Sequence, residues 1–82
     1  MLVSRTPIPM AEFEAFEAAI RAGGRDPEAF RAQMFETTCT DSGMPLRRVH
    51  VVSPNAAAQY DASGGVGWTE SFARHVARGF FG

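Results

Sequence analysis

The stretch FRAQMFETTCT, residues 30–40, decides the fold. Phe30 and Met34 stand four apart, the spacing of one helical face. FETTCT, residues 35–40, is instead rich in β-branched threonine and alternates in part, which suits a half-buried strand. We read one or two turns of helix giving way to a strand from Gln33 to Thr40. The rival reading is one helix running through to Thr38. The strand reading supplies the first of three strands.

Toward the C-terminus, DSGMP (41–45) is a turn. LRRVHVVS (46–53) is the clearest strand in the chain. Its pleat puts Arg47, Val49 and Val51 on one face and Leu46, Arg48, His50 and Val52 on the other. SPN turns the chain again, and AAAQYDA (56–62) returns as a third strand, although alanine is a weak strand former. SGGVG (63–67) is loop. TESFARHVARG (69–79) is a closing helix, with Trp68, Phe72 and Val76 on its apolar stripe. Gly79 stops it, and Phe80 falls where a contact with the last helical turn is expected.

Toward the N-terminus, RDPEAF (25–30) starts the short helix, with Asp26 as cap, Pro27 in the first position and Glu28 in the first turn. PMAEFEAFEAAIRAGG (9–24) is the strongest helix pattern. Phe13, Phe16 and Ile20 share a face with Met10 above them, while Glu12, Glu14 and Glu17 line the rest. Arg21 suits the C-terminal dipole and Gly23-Gly24 ends the helix. Pro7 and Pro9 make residues 1–9 an extended N-terminal arm. Residues 10–82 then form a single α+β domain in the order α, short α, β, β, β, α. The simplest solution is two layers: a three-stranded antiparallel sheet with an N-terminal and a C-terminal helix over one face.

The composition agrees with one thin-cored domain. The chain has 82 residues, 45% of them hydrophobic, with seven Phe, one Trp and one Tyr. A few large rings can fill much of such a core. The net charge of -1 creates no global field for a polyanion. The charge is nonetheless uneven: residues 1–46 hold seven acids against four arginines, and residues 47–82 four arginines against two acids. The single cysteine, Cys39, allows no intrachain disulfide, and a cytoplasmic location is the default expectation. Neither a signal peptide, a membrane span nor a lipidation box is legible.

Four features could carry chemistry. Gly64, Gly65 and Gly67 precede a helix and could offer bare N–H groups to an anion. They fit no nucleotide-loop motif, so a turn is the favoured reading. Arg48 and His50 share a strand face and could meet a phosphate or carboxylate together. Nucleic-acid readers reinforce such groups with aromatics, and here the aromatics fall mainly in the expected helices, so a solvated strand edge is favoured. Cys39, His50, Asp41 and His75 are raw material for thiol–imidazole catalysis, but no spacing unites them. No metal-ligand spacing and no cofactor motif is present. Finally, Trp68, Phe80 and Phe81 exceed what one helical stripe accommodates, which points to self-association. The expectation is therefore a non-enzymatic interaction or accessory domain, either self-associating or a monomer in which arm and tail fold over each other. The alternative is a nucleic-acid or phosphate-ligand binding module using the basic strand and glycine loop. Less favoured is a small enzyme using Cys39 with a histidine.

Overall fold

The computed structural model describes residues 3–38, 43 and 45–81. The chain is an α+β domain with four antiparallel strands and two helices. In chain order these are β1 (Val3–Thr6), α1 (Met10–Ala22), β2 (Arg31–Thr38), β3 (Pro45–Val52), β4 (Ala57–Asp61) and α2 (Gly67–Ala77), with a 3-10 turn at Pro27–Ala29 between α1 and β2. Spatial order in the sheet is β1-β2-β3-β4.

Two expectations are corrected. The sheet has four strands, because part of the N-terminal arm, Val3–Thr6, pairs with β2 from Val3 opposite Thr37 to Thr6 opposite Met34. Four residues are too short for an alternation signal, and Pro7 and Pro9 dominate the local sequence. The short helix is a single 3-10 turn. Asp26 caps it by accepting the Glu28 N–H at 3.0 Å, as its position suggested. Phe30 is already extended (φ -111, ψ 144), so β2 begins at Arg31, ahead of Gln33. The single helix to Thr38 is excluded. The final residues of the expected strand, Cys39 and Thr40, lie outside the described residues.

Both helices close on the inward side of the sheet. Met34, Val49, Val51 and Tyr60 point there and join Phe16 and Ile20 of α1 with Trp68, Phe72 and Val76 of α2 in one core. Phe72 is its hub, with ring centroids 4.8 Å from Phe16, 5.9 Å from Phe30, 6.0 Å from Tyr60 and 5.3 Å from Phe81. Each fully buried ring of this kind is worth about 1.5–3 kcal/mol by area alone.

The face that α1 buries differs from the expected one. Glu12, Phe16 and Ile20 are buried, whereas Phe13 is 40% and Met10 76% exposed. The cause lies across the core. The Trp68 indole N–H donates to Glu12 Oε1 at 2.8 Å, and a buried indole requires such an acceptor. Glu12 thus occupies an i, i+4, i+8 stripe that a hydrophobic pattern alone gives to Phe13.

Both helices end in the same way. Gly24 (φ +74) places the Arg25 N–H on the Ile20 carbonyl and its own N–H on Arg21. Gly79 (φ +77) does the same with Phe80 on His75 and itself on Val76. These are paired 6→1 and 5→2 bonds that satisfy the last helical carbonyls. The second turn directs the tail. Phe80 stacks on His75 at 5.0 Å and stays 48% exposed, while Phe81 turns inward and is buried against Phe30 and Phe72.

Candidate functional site: the open face of the sheet

Helices cover one face of the sheet, and among the described residues the other carries none. Residues directly opposite in an antiparallel pair share a face, so the register builds this surface row by row. Arg5 lies opposite Phe35, Phe35 opposite Arg48, and Arg48 opposite Asp61. One row across all four strands therefore reads Arg5, Phe35, Arg48, Asp61. The next row reads Gln33, His50, Gln59, and the one after it Arg31, Val52, Ala57. The β3 alternation expected from sequence holds. Val49 and Val51 are fully buried, while Leu46 and Val52 on the opposite side are 48% and 50% exposed.

At the centre of this face, the Phe35 ring meets the His50 imidazole with centroids 4.8 Å apart, inclined at 55°. Both are half-buried. Arg5 and Arg48 flank Phe35 from the neighbouring strands and are exposed. Arg48 Nη1 donates to Gln59 Oε1 at 3.5 Å, a long bond that holds the guanidinium over β4 without consuming it. A groove of about 520 Å³ opens beside the stack, its walls including Phe35, Leu46, Arg48, His50 and Asp61.

The charge here is lopsided. Arg5, Arg31 and Arg48 project from the face with His50, and Asp61 is the acid among the described positions of these rows. The Ser63 backbone N–H donates to Asp61 Oδ1 at 3.0 Å. This bond, then the Ser63 hydroxyl and more weakly Arg48, holds the Asp61 carboxyl below its usual range. Asp61 is therefore engaged on the loop side, which limits how much it neutralises Arg48.

The glycine loop is a structural turn fastened to β3. The Arg47 N–H donates to Ser63 Oγ at 2.9 Å, and the Ala62 N–H to the Arg47 carbonyl at 2.9 Å. The Gly65 N–H donates to the Ala62 carbonyl at 3.2 Å. Gly65 supplies the positive φ, and Gly64 and Gly67 have open space around them. Thr69 donates both its N–H and its hydroxyl to the Val66 carbonyl, closing the first turn of α2.

The other candidates are dispersed. His50 faces outward, whereas His75 lies on the helix side, where its Nδ1 is 2.6 Å from the Tyr60 hydroxyl. The two histidines are thus separated by the sheet, and Cys39 and Asp41 lie outside the described residues. Among the described residues no three His, Cys, Asp or Glu side chains converge as metal ligands. Nor is any helix among them long and apolar enough to cross a membrane. Arg74 lies on α2 and Arg78 follows its last residue, on the helix layer, whereas Arg48 is on the sheet. Trp68 and Phe81 are 3% and 2% exposed within the chain's own core.

Sequence reasoning found Arg48 and His50 but missed Phe35 and Arg5. Phe35 sits next to buried Met34, and its outward direction follows only once the strand start is known. Arg5 joins the face because the arm becomes a strand. Compared with known proteins, the chain matches no family model, no curated protein and no solved structure.

Proposed function

We propose that this protein is a non-enzymatic binding domain that takes an anionic partner on the open face of its sheet. The observation that carries the reading is the row Arg5, Phe35, Arg48, with His50 packed at an angle against Phe35. Three arginines on one helix-free surface create a local positive field despite a net charge of -1. The same arrangement weighs against a second copy of the chain stacking here. Two such faces would oppose arginine to arginine, and like charges across an interface are costly. The aromatics expected to drive self-association give it little support either: Trp68 and Phe81 are spent inside the core, which leaves half-exposed Phe80. Among the described residues catalysis has no assembled group to rest on, since His50 and His75 occupy opposite sides of the sheet.

Retention on immobilised heparin tests the reading, heparin serving as a generic polyanion. Replacing Arg5 and Arg48 together with alanine should shift elution to clearly lower salt. Replacing Arg74 and Arg78 removes the same charge from the helix layer and should leave elution close to wild type. Equal shifts for the two double variants would show that net charge alone, and not this face, governs binding.

A further inference from the structure

We infer that the anionic partner is single-stranded RNA, with an unpaired base stacked on Phe35 beside His50 and its phosphates held by Arg5 and Arg48. This rests on the reading of the open face given above and names its ligand.

A simple polyanion site needs cations alone. This face places an aromatic ring between two guanidiniums on a rigid sheet, and an imidazole packs on that ring at 4.8 Å. Ring and cation alternate as base and phosphate alternate along a single strand. Every base offers a flat π-face, so such a platform stacks unpaired bases with little regard to sequence, and arginine adds cation–π contact. A duplex hides its base faces and could use only the arginines. The row from Arg5 to Asp61 crosses four strands, and three strand spacings of about 4.8 Å give about 14 Å. Four-stranded sheets with exposed aromatics hold two or three bases in this way. Asp61 closes the β4 end of the row with a negative charge, so the phosphates run along the Arg5 and Arg48 side.

The choice of RNA over DNA follows from the adjacent row. Gln33 and Gln59 flank His50, both exposed. Gln59 uses its carbonyl oxygen toward Arg48, and its amide N–H groups have no partner among the described residues. A side-chain amide offers both a donor and an acceptor, the combination that a ribose 2′-hydroxyl presents in return. Two arginines at about -0.7 per phosphate contact imply a log affinity–log salt slope of about -1.4. Binding is therefore modest and strongest at low salt.

Fluorescence anisotropy with a short labelled single-stranded RNA tests this, alongside its DNA counterpart, the same RNA annealed into a duplex, and heparin as competitor. The single-stranded RNA should bind tightest. Phe35→Ala should weaken it by about five- to a hundredfold, the range of one lost stack, a far larger loss than in heparin retention. Phe35→Trp should restore RNA binding, and thermal melts of both variants establish that they are folded. If F35A, folded, binds RNA as wild type does while R5A/R48A still weakens heparin retention, the stacking assignment falls and the anionic-partner reading stands. If R5A/R48A leaves heparin retention unchanged, the underlying reading falls as well. Equal affinity for RNA and DNA would overturn the choice of RNA, and tighter duplex binding would overturn the single-strand assignment.

Discussion

At the scale of single residues, burial sets the chemistry of Tyr60. Its hydroxyl lies in the layer between β4 and α2, where burial pushes its pKa from 10.0 up to about 12. Tyr60 is thus neutral at physiological pH, and its hydroxyl lies 2.6 Å from His75 Nδ1. Because the folded pKa lies above the unfolded one, folding favours the protonated phenol. The stabilisation is complete below pH 10.0 and is lost as pH rises through that value toward about 12. The sequence makes this measurable, since the chain has one Tyr and its basic residues are all arginine. Tyrosinate absorbance should titrate late in the folded protein, and stability should fall on alkaline titration in wild type but much less in Y60F. An ordinary tyrosine titration in the folded state would contradict the buried hydroxyl. Glu12 shows where sequence reading fails at this scale. A carboxylate beside Phe13 reads as the wet side of a helix, and only the indole of Trp68, distant in the chain, makes its burial favourable.

At the scale of elements, the joint between the helices depends on Gly23. A Cβ there would lie 2.5 Å from Val76 Cγ1 on α2. Val76 is buried and β-branched, so it has little freedom to turn aside. Gly23→Ala should therefore destabilise by about 1–3 kcal/mol, read from urea unfolding. The same change in a V76A background should cost far less. An equal cost in both backgrounds would mean that the helices do not meet there. Much of the later chain was legible because its signals are local: Asp26-Pro27 for the start of a helical turn, though not for its 3-10 form, alternation in 46–52 for β3, and Gly79 for the end of α2. β1 was not legible. Its four residues become a strand through pairing with β2, and nothing within VSRT announces that partner. The face of α1 was misread by one position for the same reason, a tertiary contact outweighing a local pattern.

At the scale of the whole molecule, the helices and the large rings gather on one side of the sheet, and the other side is left to a short aromatic stack among arginines. The half of this surface contributed by β3 was visible in sequence as Arg48 and His50. The rest required the sheet order, because Arg5 and Phe35 reach it only through the β1–β2 and β2–β3 registers. The surplus of rings first suggested a second subunit, yet Phe81 folds back onto Phe30 and Phe72 and completes the chain's own core. On our proposal, the open face is where this protein meets its partner. Titration of ¹⁵N-labelled protein with single-stranded RNA at low salt, followed by amide and arginine side-chain NMR signals, tests it most directly. The account predicts that the largest shifts map to Arg5, Phe35, Arg48, His50 and Gln59, with α1 and α2 nearly unchanged. Shifts concentrated on α2 around Arg74 and Arg78, or none at any RNA concentration, would contradict it.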